Sequence, residues 1–183
     1  MLFQLTGLSG AGKTTIATGV EIRLDERNIK VKVIDGDVYR QTLCKDLSFS
    51  RKDRLDNIRR LKLVAESFLA EGFVVLLSSI NPFEEGRQLV RGNRSSVRTI
   101  WVECDMPVLI KRDPKSLYRR SFLPEGHPDK LVNFTGVDQE YEEPINVDLL
   151  LDTTHEPKDL SINRTLNFIL NEINFFGYGE TRS

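Results

Sequence analysis

The stretch LTGLSGAGKTTIA, Leu5 to Ala17, puts three glycines and a lysine between an apolar run, Leu2–Thr6, and a segment with helical periodicity. A packed core gains nothing from glycine at such a junction, whereas a bound phosphate does. Gly7 to Thr14 satisfies G-x-x-x-x-G-K-[ST], with a strand before it and a helix after it, the setting a phosphate-binding loop requires. Glycines let the backbone wrap closely around an anion and turn successive N–H groups inward. The positive end of the following helix points to the same place. There Lys13 reaches the β- and γ-phosphates, and the Thr14 hydroxyl is a ligand for Mg²⁺. A nucleoside triphosphate site is implied.

Outward from this loop, strand-like runs alternate with helical ones. Strands are expected at Leu2–Thr6, Val31–Asp35, Phe73–Ser78, Arg98–Glu103 and Asp148–Asp152. Helices are expected near Lys13–Arg27, Arg51–Ala70, Glu84–Arg91, Pro107–Lys111 and Lys158–Asn174. This alternation predicts an α/β fold of the P-loop NTPase type: a doubly wound, five-stranded, mostly parallel sheet flanked by helices. A length of 183 residues predicts a single domain, 1–183. Residues 112–144 are polar, rich in Pro and Gly and too long for an ordinary connection, so a lid or binding loop is expected there. The tail, 177–183, is expected to fray.

Composition removes several classes. The net charge of −1 lacks the basic excess of a nucleic-acid binder, which leaves small anions as partners. Cys44 and Cys104 lie far apart and outside any CxxC, so neither a zinc site nor a disulfide framework is expected. No apolar run approaches the roughly 18 residues of a membrane span. The first segment lacks the charged start of a signal peptide. A cytoplasmic location without membrane partners is expected.

The kind of triphosphate chemistry is narrowed by where the acids stand. The run ending at Leu77 is followed by Ser78-Ser79, without the carboxylate that a GTPase or motor ATPase carries for Mg²⁺. The acids close the second strand instead, as Asp35 and Asp37 in VIDGDVYR. Carboxylates at the C-terminal end of such a strand face the ligand crevice. One of the two is a candidate to assist Mg²⁺ and the other to accept a proton from a substrate hydroxyl; a solvated Asp-Gly-Asp turn is the alternative. In FSRKDRLDNIRRL, Ser50 with Asp53 resembles a capping box and starts a helix near Arg51. Leu55, Ile58, Leu61, Ala65 and Phe68 share one face of it, with Arg54 near the middle and Asn57 at the edge. An inward arginine needs an anionic partner, either a structural carboxylate, Asp37, or a bound phosphate or sulfate. Arg40 adds a second cation to the same crevice.

These motifs resemble the adenylylsulfate kinase family over nearly the whole chain: GLSGAGKTT, DGD-x-x-R, DLxFS-x-x-DR-x-x-NIRR, RDPK-x-LY, NFTG-[IV]-D and YE-x-P. The resemblance implies ATP as donor, with Mg²⁺, and adenosine 5′-phosphosulfate as acceptor at its 3′-hydroxyl, in sulfate assimilation. It places ATP on Gly10, Ala11, Gly12, Lys13, Thr14 and Thr15, with Arg112 as a lid cation, Mg²⁺ on Thr14 and Asp35, and the chemistry at Lys13 and Asp37. It places the acceptor on Asp37, Arg40, Arg54 and Asn57, with Phe49 and Phe134 clamping its adenine and Ile80, Asn81, Lys115 and Asn133 lining the pocket. It also implies a homodimer and a mobile lid over 112–144.

The chain departs from the family pattern in several places. Asn81 stands where the family often has a phosphorylated serine, which excludes a phosphoenzyme at that position and leaves direct transfer. The stretch SFLPEGHPDKLV is about five residues longer than usual, and Ser116, Val38-Tyr39 and Ser48 replace common family residues near the acceptor pocket. The alternatives are a kinase of the same superfamily acting on another nucleotide, such as a cytidine diphosphoramidate, and an ATP-binding module without transfer.

Overall fold

The computed structural model describes residues 1–177. In chain order the elements are β1 (Leu2–Thr6), α1 (Lys13–Asp25), β2 (Val31–Asp35), α2 (Gly36–Arg40), α3 (Arg51–Ala70), β3 (Val74–Ser78), α4 (Glu84–Arg91), β4 (Val97–Glu103), α5 (Met106–Arg112), α6 (Leu117–Ser121), β5 (Leu149–Asp152) and α7 (Lys158–Phe175). The strands pair in the order β2-β3-β1-β4-β5, and every pairing is parallel. The sheet is therefore parallel throughout, where the sequence pattern allowed a mixed one. Every expected strand and helix is present, with no end shifted by more than two residues. Phe73 falls outside β3 because it follows the turn at Gly72 and packs edge-on against Phe68, with ring centroids 5.5 Å apart.

The central strands are apolar on both faces, as a parallel sheet covered by helices demands. Phe3, Leu5, Val74, Leu76, Ile100 and Val102 face α1 and α7, meeting Ile16, Val20, Ile162, Leu166 and Ile169. Leu2, Ile34, Val75 and Leu77 face the other way, onto Ile58, Leu61 and Ala65 of α3 and Val90 of α4. With the helices on opposite faces, the crossovers leave the C-terminal ends of β1, β2 and β3 open along one edge. The phosphate loop, the Asp-Gly-Asp turn and Ser78-Ser79 all emerge there.

Two short helices, α2 and α6, were not anticipated. Asp35 creates the first, because its Oδ1 accepts from the amides of Asp37 (2.8 Å) and Val38 (3.3 Å) and caps α2. Ser50 caps α3 as expected, its hydroxyl accepting from Asp53 N at 3.1 Å. The expectation for the tail lies, beyond Gly177, outside the described residues.

Candidate functional site

Two adjoining cavities open at this edge. One, of about 400 Å³, is lined by the loop residues Ser9, Gly10, Gly12, Lys13, Thr14 and Thr15, then by Asp35, Asp37, Ser78 and Lys115. The other, of about 260 Å³, lies behind α2 and is lined by Asp37, Arg40, Phe49, Arg54, Asn57, Ile80 and Asn81. Asp37, Gln41, Ser79 and Ile80 belong to both. Sequence separation hides this adjacency: the β2–β3 pairing puts Asp35 opposite Ser78.

At the junction of β1 and the loop Gly7 adopts φ +152°, and a Cβ there would lie 2.2 Å from the Val102 carbonyl oxygen, so the chain can enter the loop only through glycine. Lys13 is buried and donates to the carbonyls of Gly7 and Leu8, at 2.9 Å each. Burial pushes its ammonium down to about 8, with Asp37 and Asp35 pulling the other way. The Thr14 hydroxyl donates to Asp35 Oδ2 at 2.6 Å. That hydroxyl and carboxylate form a hard-oxygen pair of the kind Mg²⁺ prefers, so the residues fit the ion. Ala11 is fully buried and contributes backbone only.

The second cavity is defined by cations that make no close ion pair among the described residues, although Asp37 and Asp53 act on Arg40, and Asp138 on Arg54, from further off. Arg54 is buried, and its guanidinium donates to the carbonyls of Phe49 (3.2 Å) and Asn133 (2.8 Å). Arg40 donates to the carbonyls of Leu47 (3.2 Å) and Ser48 (2.8 Å). Among the described residues neither has a carboxylate within 4 Å, so the structural ion pair considered for Arg54 is not formed. Burial and then the like charge of Arg40 lower Arg54 to about 10, which still leaves it charged at neutral pH. Both guanidinium groups lie over the half-exposed Phe49 ring, at 4.8 and 5.3 Å from its centroid. Asn57 Oδ1 is buried and has no hydrogen-bond partner among the described residues. The unpaired cations call for an anionic group and the orphan amide oxygen calls for a hydrogen-bond donor, so the ligand that fits this place carries both.

Of the other expected residues, Phe134, Asn133 and Arg112 do not line either cavity, whereas Asn81 does. Phe134 is buried and packs edge-on against Tyr118 (4.9 Å), so a base cannot stack on it without movement of its loop. Asn133 reaches the second cavity only through its carbonyl on Arg54. Arg112 does not line the loop cavity; its guanidinium is committed to Thr153 O (2.6 Å) and Cys104 Sγ (3.3 Å). Asn81 is buried with φ +40°, and its carbonyl accepts from Arg87 at 3.0 Å. The reading from sequence missed Arg87. This fully buried side chain also donates to Glu84 Oε2 (2.8 Å) and Glu142 O (2.7 Å), tying the end of the 112–144 segment to the wall of the second cavity. Nothing in EEGRQLVR distinguishes it from the exposed charges around it. His155 is an exposed partner of Asp152 and lines neither cavity.

A parallel 2-3-1-4-5 sheet, a glycine loop feeding α1 and a carboxylate turn after β2 define a P-loop kinase. The profile described as adenylylsulphate kinase matches residues 1–152. A probable adenylyl-sulfate kinase of Halalkalibacterium halodurans is 42% identical over 174 residues, covering 94% of this chain and 81% of its own. Among solved structures, the Mycobacterium tuberculosis APS kinase in complex with AMPPNP and APS superposes with a TM-score of 0.84 at 33% identity, over 92% of this chain and 96% of that one. A hexameric APS kinase from Thiobacillus denitrificans gives 0.66 at 26% identity, over 97% of this chain and 29% of that one. This chain belongs to the adenylylsulphate kinase family.

Proposed function

We propose that the chain transfers the γ-phosphate of ATP to the 3′-hydroxyl of adenosine 5′-phosphosulfate (APS), the reaction after which its relatives are named. The observation that carries this reading is the position of Asp37, on the boundary between a phosphate-loop cavity and a cavity holding two unpaired guanidinium groups. A carboxylate there stands between a donor phosphate on one side and an anionic acceptor on the other.

In this reading Gly10, Gly12, Thr14 and Thr15 receive the triphosphate, and Lys13 turns from its own loop carbonyls to the β- and γ-phosphates. Mg²⁺, held by Thr14 and Asp35, supplies charge neutralisation at the phosphates. Arg40 and Arg54 hold the phosphosulfate, Phe49 offers a flat face to the adenine, and Asn57 Oδ1 accepts from the ligand. Ile80, Asn81 and Lys115 line the acceptor side, and the 112–144 segment, carrying Asn133 and Phe134, closes over both nucleotides and excludes water. Asp37 orients the 3′-hydroxyl and takes its proton as the ribose oxygen bonds to the γ-phosphorus and ADP leaves. Asn81 offers no hydroxyl, so transfer is direct.

A coupled ADP-release assay with a panel of acceptors tests the reading. APS is expected to be turned over well above any cytidine or uridine acceptor; preference for one of those, or no transfer at all, overturns it. We further infer a homodimer acting in the cytoplasm, where ATP is at hand. The hexameric relative and the exposed apolar Leu150 on the edge strand support self-association, and light scattering on the purified chain tests it.

A further inference from the structure

The phosphate loop is fastened from outside by two hydroxyl groups to which the sequence analysis gives no role, that of the tyrosine closing RDPK-x-LY and that of a threonine after β5. Tyr118 of α6 is fully buried, and its phenol donates to the Ser9 carbonyl at 3.0 Å. Thr153, buried just after β5, shares its hydroxyl proton between the carbonyls of Ala11 and Glu103, both at 2.9 Å. Its amide also donates to Glu103 O at 2.9 Å, and its own carbonyl accepts from Arg112 at 2.6 Å. Thr153 is thus immobilised on three sides before it touches the loop.

The consequence follows from peptide geometry. In a planar trans peptide the carbonyl of one residue and the N–H of the next point in opposite directions. Holding the Ser9 carbonyl outward turns the Gly10 N–H inward, and holding the Ala11 carbonyl outward does the same for the Gly12 N–H. Both glycines line the loop cavity, and neither N–H has an acceptor among the described residues. Without these outer hydroxyls, glycine-rich peptides are free to rotate, and a ligand must order them on binding.

We propose that Tyr118 and Thr153 are positioning residues for the donor phosphates, preorganising the Gly10 and Gly12 amides by anchoring the carbonyls in front of them. The proposal rests on the assignment of ATP to this loop. Tyr118 lies within the 112–144 segment, so the same hydroxyl joins that segment to the loop it covers.

The test compares Tyr118→Phe, which keeps the ring against Phe134, with Thr153→Val and Thr153→Ser. ATP affinity is measured by calorimetry without acceptor, and KM values with acceptor present. Tyr118→Phe and Thr153→Val are each expected to weaken ATP about three- to tenfold, the loss of one net hydrogen bond or slightly more. Thr153→Ser restores the affinity, and the acceptor KM stays within about twofold of the unaltered protein. Two results overturn the proposal: folded Tyr118→Phe and Thr153→Val proteins with unchanged ATP affinity, or ATP and acceptor constants that rise together. Failure of the unaltered protein to bind ATP would instead remove the functional reading itself.

Discussion

The Lys115 ammonium is paired with the Asp37 carboxylate across the mouth of the two cavities, joining the root of the 112–144 segment to the turn after β2. Both side chains are more than half exposed, so the pair adds little to stability. What it does is aim the carboxylate. Asp37→Asn keeps the shape and removes the proton acceptor. Its kcat is expected to fall by roughly 10²–10⁴ while ATP affinity is unchanged. Steady-state kinetics with a parallel ATP titration checks this, and an Asn variant with near-normal turnover would remove Asp37 from the chemistry.

The buried Lys13 gives ATP binding a pH dependence. Burial lowers its ammonium from the ordinary lysine value to about 8 in the free protein, so its charge is lost as pH rises through that point. Bound phosphates favour the charged form and restore the higher value. Above pH 8 binding must therefore take up a proton, and the ATP dissociation constant is expected to rise up to about tenfold per pH unit. The sign for folding is opposite: between about 8 and 10.5 the unfolded chain binds more protons, so Lys13 makes stability rise with pH in that window. Calorimetric titrations at pH 7, 8 and 9 decide the first point. Lys13→Arg, which keeps its charge throughout, serves as the control.

Arg54 is a buried cation without a close carboxylate partner among the described residues, so its removal should separate binding from folding. Arg54→Ala is expected to weaken the acceptor by about 1.5–3 kcal/mol, roughly ten- to a hundredfold, because a charged hydrogen bond is lost. The melting temperature is expected to fall only modestly, since the two carbonyl hydrogen bonds and the Phe49 contact that are lost are offset in part by relief from burying a charge. A melt that drops sharply with acceptor affinity intact would make the residue structural.

Asn81 and Gly86 fit only as a pair. A Cβ built on Gly86 would lie 2.2 Å from Asn81 Oδ1, which is itself buried in the wall of the second cavity. Gly86→Ala is therefore expected to cost about 1–3 kcal/mol through overpacking. Asn81→Ser should recover most of that loss in the double variant, because the shorter side chain vacates the space. Denaturant melts of both single variants and the double variant measure the coupling, and additive losses would contradict the contact.

Local rules account for most of the fold. Apolar runs at helix–strand spacing, the glycine loop and the Ser50 cap are properties of short segments, and the structure places them within a residue or two of expectation. The small helices α2 and α6 escaped because each is held by side-chain contacts and packing rather than by periodicity. Asp35 caps α2, and Asp113 accepts the amides of Tyr118 and Arg119 in α6. Arg54 was legible as inward-facing, since one helical face carries it among leucines. Its choice of carbonyl partners was not, because those come from residues up to 79 positions away.

The amino-acid sequence alone determined that this chain makes a mostly parallel α/β sheet with a phosphate loop, because backbone conformation and apolar periodicity are settled over a few residues at a time. Tertiary structure alone decided that Asp37 borders both cavities, that Arg87 is buried, and that Arg112 turns to Thr153 rather than to the loop. Each of these depends on which distant carbonyl or carboxylate a long polar side chain finds, and that is fixed only when the sheet has set the order of its strands.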